Sequence, residues 1–269
     1  MIKKLIKDYA PKPLTRILTK MYGLIIYRSI PKHIRPLENT DSYFCTIAYN
    51  KYGGYCLPKN SIDRPAAQTT MRGGVWEEET IQFITRNCKG GDIIHAGTYF
   101  GDFLPALSIN CDEESKIWAF EPIKEHYNCA SITLLLNKIE NVNLSHAGLG
   151  NINKPHTMMV KDEDGRSLGG GSLVIGNQEN IDSESIESID IVCLDEHIPK
   201  DRSISIIHLD IEGFEQQALE GAMMLIKKNL PVLILETLPD NNWLRDHLFS
   251  IGYKVEREIL GNTILENHQ

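Results

Sequence analysis

The sequence lacks a C-x-x-C pair, an internal repeat and any low-complexity tract. Its six cysteines (Cys45, Cys56, Cys88, Cys111, Cys129 and Cys193) lie far apart, which argues against a zinc knuckle or a dense disulfide framework. Reduced, mostly buried thiols are the expectation. The apolar stretch "MYGLIIYRSI" is too short to span a bilayer and no small-residue cleavage site follows it, so neither a transmembrane helix nor a secretory signal is expected and the location reads as cytoplasmic. With 42% hydrophobic and 24% charged residues, collagen-like and disordered classes are excluded. A chain of 269 residues has room for one large domain with an accessory segment.

Charge is unevenly spread. The net charge is −8, yet residues 1–36 carry nine Lys/Arg against the single acid Asp8. Such a basic helical arm, interleaved with Leu, Ile and Tyr, suits peripheral contact with an anionic membrane. Packing of the arm on its own domain or on a neighbouring subunit is the other reading, so an oligomer stays open. No nucleic-acid partner is expected.

From about residue 75 strand and helix patterns alternate, which predicts a parallel sheet. Residues 41–60 read as a β-hairpin with Gly53-Gly54 at its turn, so residues 1–70 form an arm and small cap ahead of a main domain at 71–269. Within "DIIHAGTYFGDFLPALSIN" (92–110) a short apolar strand meets a glycine turn and then a helix with Pro105 in its first turn. This is how a nucleotide-binding βαβ unit opens. A second strand, "KIWAFEP", ends at Glu121, twenty residues after Gly101, where an acid can accept hydrogen bonds from ribose hydroxyls; Pro122 then starts a helix.

That spacing alone does not separate NAD from S-adenosylmethionine. The glycine pattern helps more. Gly97-x-x-x-Gly101 lacks the middle glycine that lets backbone approach a pyrophosphate, and Thr98, Tyr99 and Phe100 fill that space. S-adenosylmethionine has no phosphate to accommodate. Further strands are expected at 141–147, 203–210 and 230–236, with an irregular insertion at 151–185. "GFEQQALEGAMMLIKKN" (213–229) reads as one amphipathic helix, with Glu215 and Glu220 as solvated acids. The final stretch, "YKVEREILGNTILEN", reads as an antiparallel hairpin turning at Gly261-Asn262. The fold class that follows is α/β: a Rossmann-like class I methyltransferase with a mostly parallel seven-stranded sheet ending in that hairpin.

Several ordered motifs carry a family resemblance. "FEP" (120–122), "LLLNKIENVNLSHAGLG" (134–150), "GGSL" (170–173), "VCLDEHI" (192–198), "HLDIEGFEQQALEGA" (208–222) and "PVLILE" (231–236) together resemble the FkbM family of S-adenosylmethionine-dependent methyltransferases. The resemblance runs from about Arg72 to Leu265. It implies O-methylation, commonly of a sugar or polyketide hydroxyl, with the D-x-E-G-x-E block near the cofactor. Where the family usually reads D-x-G-A-N-x-G, this chain has His95-Ala96-Gly97-Thr98-Tyr99-Phe100-Gly101, and His208 stands where the family often has lysine. The family's acid helps hold the cofactor's ammonium group; Asp102 or Glu77 can supply the missing negative charge.

In an open α/β sheet, ligands bind beyond the carboxyl ends of the strands, so Asp210, Glu212 and Glu236 are expected to face one crevice with His208 a step deeper. These four are the candidate catalytic residues. Glu77, His95, Gly97, Thr98, Tyr99, Gly101, Asp102, Glu121, Pro122 and Gly148 are the candidate cofactor residues. No dedicated metal set is read, although Asp210 and Glu236 could bind a divalent cation such as Mg2+. The glycine segment 166–176 is read as a lid over a small-molecule or glycan acceptor. Two other functions stay open, an NAD(P)-dependent oxidoreductase and a non-catalytic nucleotide-binding module.

Overall fold

The computed structural model describes residues 45–88, 90–159, 173–175 and 185–268. The basic arm at 1–36 and most of the glycine segment at 166–176 lie outside the described residues. A two-stranded hairpin comes first, β1 (Thr46–Asn50) and β2 (Gly53–Leu57). Helices α1 (Pro65–Met71) and α2 (Glu78–Asn87) lead into β3 (Asp92–Ala96), α3 (Leu104–Asn110), β4 (Ile117–Phe120), α4 (Lys124–Asn137) and β5 (Val142–Ser145). Short strands β6 (Gly148–Leu149), β7 (Lys154–Met159), β8 (Leu173–Ile175) and β9 (Ile186–Val192) follow, then α5 (Leu194–His197) and β10 (Ile204–Leu209). The chain closes with α6 (Glu215–Glu220), α7 (Met223–Asn229), β11 (Val232–Leu235), a helical stretch from Asn241 to Ile251, β12 (Tyr253–Ile259) and β13 (Asn262–Asn267).

The main sheet has seven strands in the order β12-β13-β11-β10-β3-β4-β5. Strands β5, β4, β3, β10 and β11 run parallel, and β13 pairs antiparallel with both β11 and β12. The parallel strands are buried on both faces, so they read as near-continuous apolar runs. Strand alternation then splits the core. Ile93, Ile117, Ile206, Ile234 and Ile264 pack under α2, α3 and α4, whereas Ile94, Ile207, Leu209, Leu233, Leu235 and Leu265 pack under α6, α7 and the C-terminal helical stretch. At the amino end of β3 the buried Asp92 carboxylate accepts hydrogen bonds from Trp118 Nε1 (2.7 Å), Lys116 N (2.9 Å) and Arg202 Nε (2.7 Å), tying three strands together.

Several local expectations are corrected. The first hairpin turns at Lys51-Tyr52, not at its glycines; Gly53 and Gly54 start β2, and Gly54 N and O bond the Asn137 side chain of α4 at 2.9 and 2.7 Å. A side chain at Gly53 would collide with Asn137. The last hairpin turns at Leu260-Gly261, and Asn262 already belongs to β13. The expected single helix at 213–229 breaks in two at Gly221, where a Cβ would lie 2.0 Å from the Gly150 carbonyl oxygen. The 151–185 insertion is not irregular throughout: it contributes β7 and β8, which with the flanking β6 and β9 form a second, four-stranded sheet in the order β6-β9-β7-β8. The alternation of buried Ile189 and Ile191 with exposed Ser188 and Asp190 is the period-2 signal for it. No helix among the described residues is long and apolar enough to cross a membrane.

Candidate active site

Register decides which side chains meet at the carboxyl end of the sheet. His95 stands opposite His208, and His208 opposite Ile234. One step beyond lie Gly97, Asp210 and Glu236, the residues at which β3, β10 and β11 give way to loops. Loop backbone is the reason for the glycine: a Cβ on Gly97, at φ +81°, would sit 1.7 Å from the Asp210 carbonyl oxygen. Gly97 therefore lets the chain leaving β10 cross the turn. Asp210 N donates to Ala96 O at 3.1 Å across the same crossing.

The 97–101 turn wraps the end of β4. Gly97 N and Thr98 N both donate to Phe120 O, and Tyr99 N donates to Glu121 Oε2 at 2.8 Å. Glu121 Oε1 accepts from Ile123 N at 2.8 Å. Two backbone donors thus fix a buried carboxylate and leave each oxygen a further lone pair. Non-glycine residues with positive φ cluster here: Glu77 (45°), Tyr99 (51°) and Glu212 (56°). Left-handed backbone outside glycine costs about 1 kcal/mol or more, and such strain gathers at functional sites.

These elements enclose a cavity of about 300 Å³. Glu77, His95, Gly97, Tyr99, Asp102, Glu121, Pro122, Gly148, His208, Asp210, Glu212 and Glu236 all line it, so Glu121 and Asp210 open onto one cleft. Thr98 and Gly101 do not line it. Thr98 is fully buried with its hydroxyl donating to His95 O at 3.2 Å, and Gly101 packs against Ala130 of α4. The sequence reading missed Arg64, Trp76 and His126, together with an apolar wall of Ile123, Ala147, Leu149, Met158, Ile189 and Ile191. Part of that wall, Leu149, Met158, Ile189 and Ile191, comes from the second sheet.

One end of the cavity is acidic. Burial, then repulsion from Glu77, lifts Asp102 to about 7. Burial and the neighbouring Glu236 raise Asp210 well above the usual carboxylate range, and partial desolvation followed by Glu236 brings the exposed Glu212 to about 7. Glu77 is raised chiefly by burial, partly offset by hydrogen bonds from Thr80 Oγ1 (3.2 Å) and Asn262 Nδ2 (2.9 Å). A cation entering this end relieves both desolvation and mutual repulsion. S-adenosylmethionine carries a sulfonium and an ammonium group, so an acidic cavity end lined by Glu77 and Asp102 fits it. Asp210, Glu212 and Glu236 also bring one ligand oxygen each within 4.8 Å of one another, a set able to hold a divalent ion.

Beneath the carboxylates sits a histidine pair. His95 Nδ1 and His208 Nδ1 are 2.9 Å apart, one donating and one accepting, and both rings stack with Phe103. Burial holds His95 well below its ordinary range and brings His208 down to about 4. Both are neutral at pH 7, and His208, a candidate proton acceptor from the sequence, is a weak base in this setting. Glu215 is corrected more sharply. It is not a solvated helix-face acid but is 1% exposed, its Oε1 accepting from Ile211 N at 3.1 Å to close the Asp210–Gly213 turn.

The model of the methyltransferase FkbM domain matches residues 95–255, more than half of the sequence. The chain belongs to the FkbM methyltransferase family. Among solved structures, this FkbM-family chain is similar to a methyltransferase FkbM from Methylobacillus flagellatus, with 19% identity over 66% of this chain and 43% of that one (TM-score 0.45). It is similar too to a SAM-dependent methyltransferase from Aquifex aeolicus, with 15% identity over 77% of this chain and 93% of that one (TM-score 0.37). The 16S rRNA N2 G1207 methyltransferase of T. thermophilus, in complex with AdoMet and guanosine, shares 11% identity over 86% of this chain and 52% of that one (TM-score 0.43). This FkbM-family chain spans less than half the length of the Methylobacillus protein. No curated protein matches it.

Proposed function

We propose that this chain transfers a methyl group from S-adenosylmethionine to a hydroxyl of a sugar, glycan, glycolipid or related metabolite. The observation that carries the reading is the convergence of the backbone-anchored Glu121 with Asp210, Glu212 and Glu236 in one cavity. When bound, the cofactor supplies an electrophilic methyl group on a positively charged sulfur. Glu121 has lone pairs for ribose hydroxyls, and the apolar wall from Ile123 to Ile191 suits an adenine ring. Glu77 and Asp102 hold positive charge.

The acceptor hydroxyl must be aligned and relieved of its proton. Alignment is the larger effect, with effective molarities of about 10⁵ M or more against roughly 10²- to 10⁴-fold for a positioned base. Burial and the neighbouring Glu236 favour the protonated form of Asp210 in the empty cavity, and the ionised form is the one that accepts the hydroxyl's proton. Cationic charge nearby lowers Asp210 toward the ordinary range and prepares it for that role. This version needs no metal ion.

Calorimetric titration with S-adenosylmethionine, S-adenosylhomocysteine and NAD tests the reading, followed by transfer of a labelled methyl group to a panel of nucleotide sugars, oligosaccharides and cell-envelope lipids. Binding of S-adenosylhomocysteine but not NAD, with label appearing in a hydroxyl-bearing acceptor, is the expected result. NAD binding alone would reverse it. Asp210→Ala should lower kcat by about 10²-fold or more while cofactor binding survives; a near-normal rate would remove Asp210 from the chemistry.

A further inference from the structure

The segment between β2 and α1 lies ahead of the family-matched residues 95–255, yet it reaches into the cofactor side of the cavity. Lys59 N and Asn60 N both donate to Glu125 Oε1, at 2.9 and 3.1 Å, which fixes this segment on the first turn of α4. The next residue, Ser61, is fully buried. Tyr99 Oη lies 2.8 Å from Ser61 Oγ and 2.9 Å from Ser61 O, and Ser61 Oγ lies 3.2 Å from His126 Nε2. On the far side of the same imidazole, Nδ1 is 3.6 Å from Glu121 Oε1. The Tyr99 ring meets His126 edge-on, with centroids 4.6 Å apart.

Ser61 Oγ and His126 Nε2 share one hydrogen bond. The other edge of the imidazole packs against the Glu121 carboxylate at a distance too long for a direct hydrogen bond, so it holds the carboxylate by contact and electrostatics. The single hydroxyl hydrogen of Tyr99 is shared between Ser61 O and Ser61 Oγ. A chain of contacts therefore runs from Tyr99 through Ser61 and His126 to Glu121, hydrogen-bonded as far as His126 and electrostatic over its last link. It returns to its start, because Glu121 Oε2 accepts from the backbone N–H of Tyr99. The loop of contacts fixes both the carboxylate and the left-handed turn at Tyr99, φ 51°.

We propose that Ser61 and His126 are positioning residues for Glu121 and Tyr99, so that the segment ahead of the family domain completes the nucleoside end of the cofactor site. This rests on the S-adenosylmethionine reading above. Neither residue need touch the cofactor. Their effect is to hold the acceptor lone pairs of Glu121 in one orientation before the ligand arrives, which lowers the ordering cost of binding.

The test is calorimetry on the full chain with two probes, S-adenosylhomocysteine and 5′-methylthioadenosine, which keeps the nucleoside and lacks the amino-acid end. Ser61→Ala should weaken both by the same factor, about 10-fold, as expected for one or two lost hydrogen bonds. In turnover the KM for the cofactor should rise while kcat at saturation stays unchanged. Ser61→Ala added to Glu121→Gln should cost little more than Glu121→Gln alone, because both act through one carboxylate. Unchanged affinity for 5′-methylthioadenosine, additive losses in the double variant, or a fall in kcat at constant KM would each overturn the proposal. If Ser61→Ala fails to fold, Tyr99→Phe removes the same link from its other end and must show the same pattern. Failure of the parent protein to bind S-adenosylhomocysteine would sink the cofactor reading itself, whereas parental binding with an indifferent Ser61 variant sinks only this step.

Discussion

Asp102→Asn tests the electrostatics of the cavity most directly, because the change keeps shape and removes charge. Asp102 lies on the turn after Gly101, facing Glu77 and Glu121, and burial is the main reason its carboxyl rises from 3.8 to about 7. It binds its proton more tightly in the folded than in the unfolded chain. Its contribution to stability is therefore fully present below pH 3.8 and is lost as pH rises through about 7. At 1.36 kcal/mol per pH unit, ionised Asp102 costs the ligand-free fold about 4 kcal/mol at pH 8, an order-of-magnitude figure. The Asn variant should match the parent near pH 4 and exceed it increasingly up to pH 7, with a Tm difference on the order of 10 °C at pH 8. Binding should move the other way. S-adenosylhomocysteine still carries an ammonium group, and loss of the adjacent carboxylate should weaken it about 10-fold at pH 8. Scanning calorimetry from pH 4 to 8, with and without S-adenosylhomocysteine, measures both. A Tm difference that does not change with pH would refute the desolvation argument, and unchanged affinity would remove Asp102 from the ammonium end.

Gly97→Ala should abolish cofactor binding and cost about 3 kcal/mol or more, since a Cβ at φ +81° would sit 1.7 Å from the Asp210 carbonyl; a soluble, binding-competent variant by calorimetry would contradict the crossing. Asp92→Ala should lower unfolding free energy in urea by about 3 kcal/mol, because Arg202 Nε, Trp118 Nε1 and Lys116 N all lose their acceptor and Arg202 its ion pair, while kcat per folded molecule is retained. Dialysis against EDTA should leave methyl transfer unchanged. Loss of activity that Mg2+ restores would instead make Asp210, Glu212 and Glu236 a metal-binding set.

What was legible in the sequence and what was not divides on physical lines. Strands β3, β4, β10 and β11 announce themselves as apolar runs, and the last three are each followed by the acid that marks a ligand crevice, so Glu121, Asp210 and Glu236 could be placed without coordinates. Turn chemistry was less legible. Glu215 looked solvated because helical spacing points it away from the apolar face, but the left-handed pair Glu212 and Gly213 bends the chain back so that its carboxylate closes the preceding turn. The second sheet was missed because β7, "KPHTMM", has no clean alternation and no fully buried residue.

The supporting contacts were beyond reach for a further reason. His95 and His208 meet across 113 residues, Glu77 and Asn262 across 185, and Ser61 and His126 across 65. Each pairing depends on register, and a one-residue slip of β10 against β3 would turn His208 to the opposite face of the sheet. Periodicity fixes which face a side chain takes within its own strand and says nothing of its neighbour across the ladder. The histidine that replaces an acid at position 95 therefore looks like a loss of function when read alone. Placed against His208 and Phe103, it is one half of a neutral, hydrogen-bonded floor, and on the proposed cofactor reading the charge it fails to provide is carried by Asp102 and Glu77, which line the same cavity.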